Sequence, residues 1–223
     1  DVDGAYPIPT YTYDGYCNFG EWYEEVTYGD HPYTLTAGDD LISDILIGRL
    51  SVRTLDKLNL VVHKLISYEQ AFYMDDNTWY ERAALSSCPY CLYGYSASMI
   101  TTNESIEYMM TNAGIDDIET YIGADYADFM EDQLDEGILY LNFRGQIGAG
   151  DFEEQNVDDA NNAYQFPFVT LITCWTNFFN AIDGIDIPFD EYDIGEYLFR
   201  AGTLNQTKGA IASIGMAGST HTL

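Results

Sequence analysis

The sequence predicts an α/β fold with a mostly parallel central sheet flanked by helices. Two runs, ILYLNF at 138–143 and FPFVTLITC at 166–174, are continuous apolar stretches, which is typical of parallel strands buried on both faces. Strand-like and helix-like segments alternate through most of the chain, and that alternation favours α/β architecture. The 223 residues suffice for one large α/β domain or two small ones.

The first part of the chain is expected to be irregular until a capped helix begins. Residues 1–40 are rich in Tyr, Gly, Pro and Asp, so we expect loops and short strands there. The run DILIGRLSV at 44–52 predicts a strand. Thr54 then caps a helix that continues to about Tyr73. Its apolar positions follow i, i+3, i+4 spacing: Leu55, Leu58, Val62, Leu65 and Ile66.

The later elements alternate between strands and helices. Gly ends several of the predicted helices. In chain order we expect a strand near 82–86, a helix capped by Asn103 and ended by Gly114, a strand at 117–122, an acidic helix at 124–136 before Gly137, strands at 138–143 and 166–174, a helix at about 191–201 before Gly202, and a buried strand at 209–216.

The charge of the chain excludes several classes of partner. There are 37 acidic and 8 basic residues, so the formal net charge is −29. Such a field repels nucleic acids and anionic membranes and attracts cationic peptides or divalent metals. No apolar run is long enough to span a bilayer. The same charge also suits simple solvation in an extracellular setting, and the beginning, DVDGAYPIPT, suggests a mature or trimmed N-terminus.

Four cysteines leave both structural and chemical uses open. They are Cys17, Cys88, Cys91 and Cys174. The C-P-Y-C motif at 88–91 could be a redox motif, a disulfide or half of a zinc site. No helix start follows it and no second ligand pair completes a zinc site, so we expect a structural role.

Two predicted strands deliver reactive or flexible residues to the same edge of the sheet. FVTLIT leads into Cys174, and ILYLNF leads into Arg144, Gly145, Gln146, Ile147 and Gly148. In an open parallel sheet, ligands bind outside the carboxyl ends of the strands. A thiolate there is a natural acyl-transfer nucleophile once a base removes its proton, so we expect Cys174 to be a partly exposed thiol outside any disulfide. The alternative is an inert core cysteine.

Dense carboxylates raise the possibility of calcium, which takes six to eight oxygen ligands. None of the acidic groups follows the EF-hand pattern, and solvated loops are the alternative. The three groups are Asp39, Asp40 and Asp44; Asp151, Glu153, Glu154, Asp158 and Asp159; and Asp183, Asp186, Asp190, Glu191 and Asp193.

From about Tyr33 to His221 the chain resembles the gingipain-type cysteine peptidases, which have a caspase-like fold. Residues 1–32 are not covered, so we expect an N-terminal loop-rich segment there and a peptidase domain at 33–223. The resemblance rests on four blocks in order: GDDLISDILIGRLSVRTLDKLNLVVHKLISYE at 38–69, NFRGQIGAGDF at 142–152, PFVTLITCWTNFF at 167–179, and FRAGTLNQTKGAIASIGMAGSTHT at 199–222.

The resemblance implies a caspase-like three-layer sandwich and a Cys–His dyad with Cys174 as the nucleophile. The family places its histidine in a Gly-His-Gly motif, where this chain has Gly145 and Gln146. The chain resembles a branch of the family whose histidine block reads more like NYRGWG and which ends in a similar THT. This likeness includes Arg144 and His221. Gln cannot act as a general base near neutral pH, so the usual dyad is lost or replaced.

Three histidines could replace the missing base. His63 lies within the first predicted helix and His31 lies in the Tyr-rich region. His221 follows the strand at 209–216 and should emerge at the same edge as Cys174. We therefore expect His221 to be the base if one exists.

Three hypotheses follow. The first is a secreted cysteine endopeptidase that acts on peptides or proteins, with backbone N–H groups near Gly145 stabilising the oxyanion. The second is an inactive pseudo-peptidase that serves as an extracellular binding or structural module. The third is a calcium-stabilised scaffold.

The resemblance also implies structural calcium, type IX secretion and attachment to further domains. It further implies a domain that continues past residue 223, so the chain would be a fragment, a processed subunit or the ordered part of a longer protein.

Overall fold

The computed structural model describes residues 11–15, 25–52, 54–71, 76–89, 96–145, 148–174, 176–177 and 194–216. The strands within these residues are β1 (Tyr11–Gly15), β2 (Glu25–Gly29), β3 (Arg82–Ser87), β4 (Asp117–Ile122), β5 (Tyr140–Arg144), β6 (Phe168–Ile172), β7 (Gly202–Thr203), β8 (Gln206–Thr207) and β9 (Ala212–Gly215). The helices are α1 (Leu55–Gln70), α2 (Ala97–Asn112), α3 (Tyr126–Glu136), α4 (Glu154–Asp159) and α5 (Ile194–Arg200), with short 3₁₀ turns at His31–Thr34 and Thr78–Glu81.

Five parallel strands form the central sheet, in the order β4-β3-β5-β6-β9. The predicted α/β fold class is confirmed, and each of the five strands lies where the sequence analysis placed one. Ser87, Arg144 and Ile172 stand in register at the ends of β3, β5 and β6. Because the strands are parallel, their carboxyl ends lie along one edge. The antiparallel pairs β1–β2 and β7–β8 lie outside this sheet.

Helices cover both faces of the sheet. On one face, α3, α4 and α5 pack over a buried cluster whose sheet members include Leu141, Phe143 and Leu171. Successive side chains of a strand point to opposite faces, so Asn142 faces the other way. There its Nδ2 donates to Asn103 Oδ1 of α2 at 2.7 Å. The layers are therefore helix, sheet and helix.

The predicted strand at 44–52 is wrong. These residues form no strand, and Leu46 is 99% exposed. Its β-branched and apolar composition suits a strand, but a strand needs a neighbour for its backbone groups, and no described strand pairs with it. Instead, Asp44 Oδ2 accepts hydrogen bonds from the backbone N–H groups of Thr36 and Ala37, both at 2.8 Å, and fixes a loop.

The first helix begins where it was predicted, but the face that it buries is not the predicted apolar one. Thr54 Oγ1 accepts from Lys57 N at 3.2 Å, which is the expected N-cap bond. The helix ends at Gln70, where Ala71 turns left-handed with φ 51°. Its predicted apolar stripe does not supply the buried side chains, and Leu55 is 68% exposed. The buried residues are Leu60, Val61, Lys64 and Ser67.

Other helix boundaries differ in smaller ways. α2 begins at Ala97, so Asn103 lies inside the helix and does not cap it. Its side chain instead accepts a hydrogen bond in the core from Asn142. The short helix α4 was not predicted, whereas α3 ends before Gly137 as expected. No helix in the described ranges is long and apolar enough to cross a membrane.

Candidate active site

Cys174 lies two residues beyond the end of β6, at the carboxyl edge of the sheet. It is not part of a disulfide, as predicted. The prediction of a partly exposed thiol is wrong, because Cys174 is only 3% exposed. The turn after it is bonded to neighbouring elements.

Two residues of this turn connect β6 to the end of β9. The backbone N–H groups of Thr176 and Asn177 donate to Met216 O at 3.1 and 3.2 Å. In return Met216 N donates to Thr176 Oγ1 at 3.3 Å. Thr176 O also accepts from Gly195 N at 2.8 Å, which joins the turn to α5. Cys174 is therefore held by three elements that are distant in sequence.

Asn177 fills the space between α5 and β9. Its Nδ2 donates to Ser213 Oγ at 2.8 Å, and Ser213 Oγ donates to Gly195 O at 2.8 Å. A Cβ on Gly195 or Gly215 would lie 1.8 or 2.3 Å from Asn177 Oδ1. Both positions therefore require glycine, because any side chain would displace the asparagine.

The end of β5 forms the other side of the site. Arg144 Nη1 donates to Gly145 O at 2.6 Å and to Ile172 O at 2.9 Å. Thr173 Oγ1 donates to Gly148 O at 3.0 Å. Gly145 is buried, and a Cβ there would lie 2.7 Å from the ring of Phe143. The chain after β5 is thus joined to Ile172 and Thr173, the two residues that precede Cys174.

Arg144 and Cys174 interact electrostatically. Burial lowers the pKa of the Arg144 guanidinium, and the nearby Cys174 sulfur opposes that lowering. The sign follows from charge, because an anionic sulfur stabilises the cation. Arg144 is half-buried, so solvent only partly screens this interaction.

Cys88 follows β3 at the same edge and is disulfide-bonded. It is buried, and its backbone N–H donates to Arg144 O at 3.3 Å. A bonded sulfur cannot ligate zinc, so the disulfide argues against the zinc alternative, and the structural role stays a prediction. Its candidate partners, Cys17 and Cys91, lie outside the described residues.

Of the residues considered for the role of base, the structure describes His31 and His63. Gln146 and His221 lie outside the described residues. His31 Nε2 donates to Leu41 O at 3.1 Å, and His63 Nε2 lies 3.4 Å from Tyr164 OH. The two described histidines are thus engaged with groups away from the turn of Cys174.

The structure describes the loop of the predicted metal ligands Asp39, Asp40 and Asp44, and calcium binding there stays a prediction. Within the described ranges, no group of three or more His, Cys, Asp or Glu side chains could hold a metal ion. Asp40 Oδ1 accepts from Ile42 N at 2.9 Å. The backbone N–H of Ala37, and then that of Thr36, lowers the pKa of Asp44. The acidic group at 183–193 lies outside the described residues.

Sequence reasoning missed the residues that hold the turn: Thr176, Asn177, Gly195, Ser213 and Gly215. Their contacts join positions 18 to 40 residues apart. No local motif marks them. The only available sequence signal was a pair of glycines, one in a predicted helix and one in a predicted strand, where glycine weakens the element unless it has a packing role.

Comparisons with solved structures show the fold. The crystal structure of the Arg-specific cysteine proteinase gingipain R (RgpB) superposes with a TM-score of 0.72 at 21% identity, covering 87% of this chain and 45% of that one. The complex of the Porphyromonas gingivalis RgpB pro- and mature domains gives 0.71 at 22% identity, covering 87% and 46%. A structure described as a protease gives 0.65 at 20% identity, covering 89% and 41%.

The chain thus spans less than half the length of the structures that it matches. These likenesses confirm the caspase-like sandwich implied by the resemblance. A search of curated proteins found no match. The family model of peptidase family C25 matches residues 2–222. A nucleophile candidate at the carboxyl edge of the predicted sheet and a family match over nearly the whole sequence lead to one conclusion: this chain belongs to peptidase family C25, the gingipain family of cysteine peptidases.

Proposed function

We propose that this chain is a secreted cysteine endopeptidase domain in which Cys174 is the nucleophile. The observation that carries the proposal is the position of Cys174 on a fixed turn at the carboxyl edge, in a chain of this family. The thiolate adds to the peptide carbonyl, the amine leaves with a proton, and water then hydrolyses the thioester. Backbone N–H groups near Gly145 stabilise the oxyanion.

His221 is the proposed base. Met216, which is hydrogen-bonded to the turn of Cys174, precedes it by five residues. Five residues reach at most roughly 17 Å, so an imidazole at 221 is within range of the sulfur. Gln146 stands at the family's histidine position and cannot accept a proton near neutral pH.

The substrates proposed are peptides or proteins with basic side chains. The net charge of −29 attracts cationic peptides, and one structural relative is described as Arg-specific. Peptides that contain Arg are therefore the first substrates to test.

Two observations favour a second candidate, an inactive pseudo-peptidase that binds protein. The thiol is 3% exposed, and Gln146 stands where the resemblance implies the family's histidine. A substrate carbonyl would reach the sulfur only after neighbouring groups moved aside. Loss of a general base typically costs 10²–10⁴-fold in rate.

The test is hydrolysis of an Arg-containing peptide library by the wild type and by Cys174→Ala, His221→Ala and Gln146→His. We expect slow cleavage that Cys174→Ala and His221→Ala abolish. Gln146→His should not restore a typical rate, because Ile147 replaces the glycine that the family places after its histidine, and a β-branched residue restricts the backbone there.

The matched control is His63→Ala, which removes a histidine bonded to Tyr164 and should leave cleavage unchanged. Cleavage that survives His221→Ala would exclude His221 as the base. Absence of cleavage by every variant, including Gln146→His, would favour the pseudo-peptidase.

A further inference from the structure

The burial of Cys174 creates an electrostatic problem for any chemistry at its sulfur. A thiolate is the reactive form of cysteine. Burial removes water and disfavours that anion, and Cys174 is 3% exposed. A nearby positive charge stabilises a thiolate in such a position.

Arg144 is placed to supply that charge. It is the last residue of β5, and its partner in register, Ile172, lies two residues before Cys174. Arg144 Nη1 donates to the carbonyl oxygens of Gly145 and Ile172. These two bonds hold the guanidinium between the ends of β5 and β6. The electrostatic interaction with Cys174 is consistent with this placement.

The other described arginines are used differently. Arg49 is paired with Asp30, Arg82 with Glu136, and Arg200 with Glu196. Arg144 forms no salt bridge with a carboxylate of the described residues. Its charge is thus not neutralised by a described acid, although the chain carries 37 acidic residues.

We propose that Arg144 is a positioning residue that holds a guanidinium between the ends of β5 and β6, next to the turn of Cys174, and offsets the cost of burying the thiolate. The proposal rests on the assignment of Cys174 as the nucleophile. Arg144 replaces the charge of a catalytic imidazolium without replacing its proton transfer, because a guanidinium does not give up its proton in proteins. The chain therefore keeps a reactive thiol at the position where the family's histidine is lost.

The experiment measures alkylation of Cys174 by iodoacetamide, which does not require peptide turnover. The sulfur displaces iodide and forms a C–S bond, and the thiol proton goes to solvent. Second-order rates are measured by mass spectrometry at pH 7 and pH 10 for the wild type, Arg144→Met, Arg144→Gln and Arg144→Lys. Cys174→Ala identifies any labelling of other cysteines.

We expect Arg144→Met and Arg144→Gln to label about tenfold more slowly than the wild type at pH 7 and at a similar rate at pH 10, where hydroxide ionises the thiol in every variant. Arg144→Lys should stay within about threefold of the wild type at pH 7, because it keeps the charge. The matched control is Arg82→Met, which removes a cation at the start of β3 and should label like the wild type.

Equal rates for wild type and uncharged variants at pH 7 would overturn the proposal. So would a loss of the same size at both pH values, which would indicate a structural role alone. If both uncharged variants fail to fold, Arg144→Lys decides: a rate near the wild type supports the proposal and an equal loss at both pH values overturns it. Alkylation that depends on Arg144 without any peptide hydrolysis would leave this inference standing and remove the peptidase proposal.

Discussion

Lys64 shows how a single residue can depart from its usual environment. Its side chain is 1% exposed. The ammonium donates to Phe199 O at 2.8 Å and to Lys208 O at 2.7 Å. It also lies 4.8 Å from the centre of the Phe166 ring. Phe199 O is near the C-terminus of α5, where backbone carbonyls lack helical partners and a cation is favourable.

We predict that Lys64 makes the protein more stable as pH rises above neutrality. Burial, and secondarily the charge of Lys57, lowers the pKa of Lys64 from 10.5 to about 7. At a pH between these two pKa values, Lys64 holds its proton in the unfolded chain and has lost it in the folded chain. The free energy of unfolding therefore increases with pH over this range. Because the carbonyl bonds favour the charged form, we expect about 1–3 kcal/mol between pH 7 and 9.

Urea unfolding at pH 7 and 9 measures this effect. Lys64→Met should lose the pH dependence. Lys57→Met is the control, because it removes a neighbouring lysine that donates to Arg200 O and should keep the dependence. An unchanged pH dependence in Lys64→Met would contradict the prediction.

At the scale of elements, the site depends on the joint between β6, β9 and α5. Thr176 bonds to Met216 beyond β9 and to Gly195 at the start of α5. Asn177 bonds to Ser213 of β9. The joint combines backbone hydrogen bonds with side-chain hydrogen bonds of Thr176, Asn177 and Ser213, and its geometry requires close approach of the three elements.

We predict that Gly195→Ala destabilises this joint. The new Cβ would lie 2.7 Å from Thr176 O and 1.8 Å from Asn177 Oδ1, and a backbone oxygen cannot move away as easily as a side chain. Overpacking of this kind costs about 1–3 kcal/mol. The matched control is Gly150→Ala, whose Cβ would meet no atom within 4 Å. Urea unfolding checks both variants, and equal stability of the two would show that the joint can relax.

The whole molecule is dominated by negative charge. The 37 acidic residues far outnumber the 8 basic ones, so most carboxylates lack a basic partner. Self-repulsion of this size destabilises the compact state. Cations that bind the folded protein would offset it.

Calcium therefore stays a prediction for the whole chain. We expect the melting temperature to fall in EDTA and to recover with calcium. Binding at 100 times the dissociation constant would contribute about 2.7 kcal/mol. Magnesium and sodium chloride at matched ionic strength are the controls, because general screening would act equally in all three salts. A melting temperature that EDTA leaves unchanged would count against bound calcium.

The sequence by itself determined the sheet and the edge at which chemistry is expected. The runs that become β5 and β6 are mostly apolar, as is typical of strands covered on both faces, and their polar members Asn142 and Thr170 are hydrogen-bonded to each other. Their order placed Cys174 and Arg144 at the carboxyl edge before any contact was known. Thr54 marked the start of α1 because an N-cap bond is made within a single turn.

Only the tertiary structure decided which groups those elements meet. The apolar run at 44–52 forms no strand because no described strand pairs with it. α1 buries the side that carries Leu60, and Lys64 on the same side reaches carbonyls at the end of α5. The interaction of Arg144 with Cys174 joins residues 30 positions apart. Local patterns specify helices and strands, whereas partners across such distances depend on how the packed elements fit together.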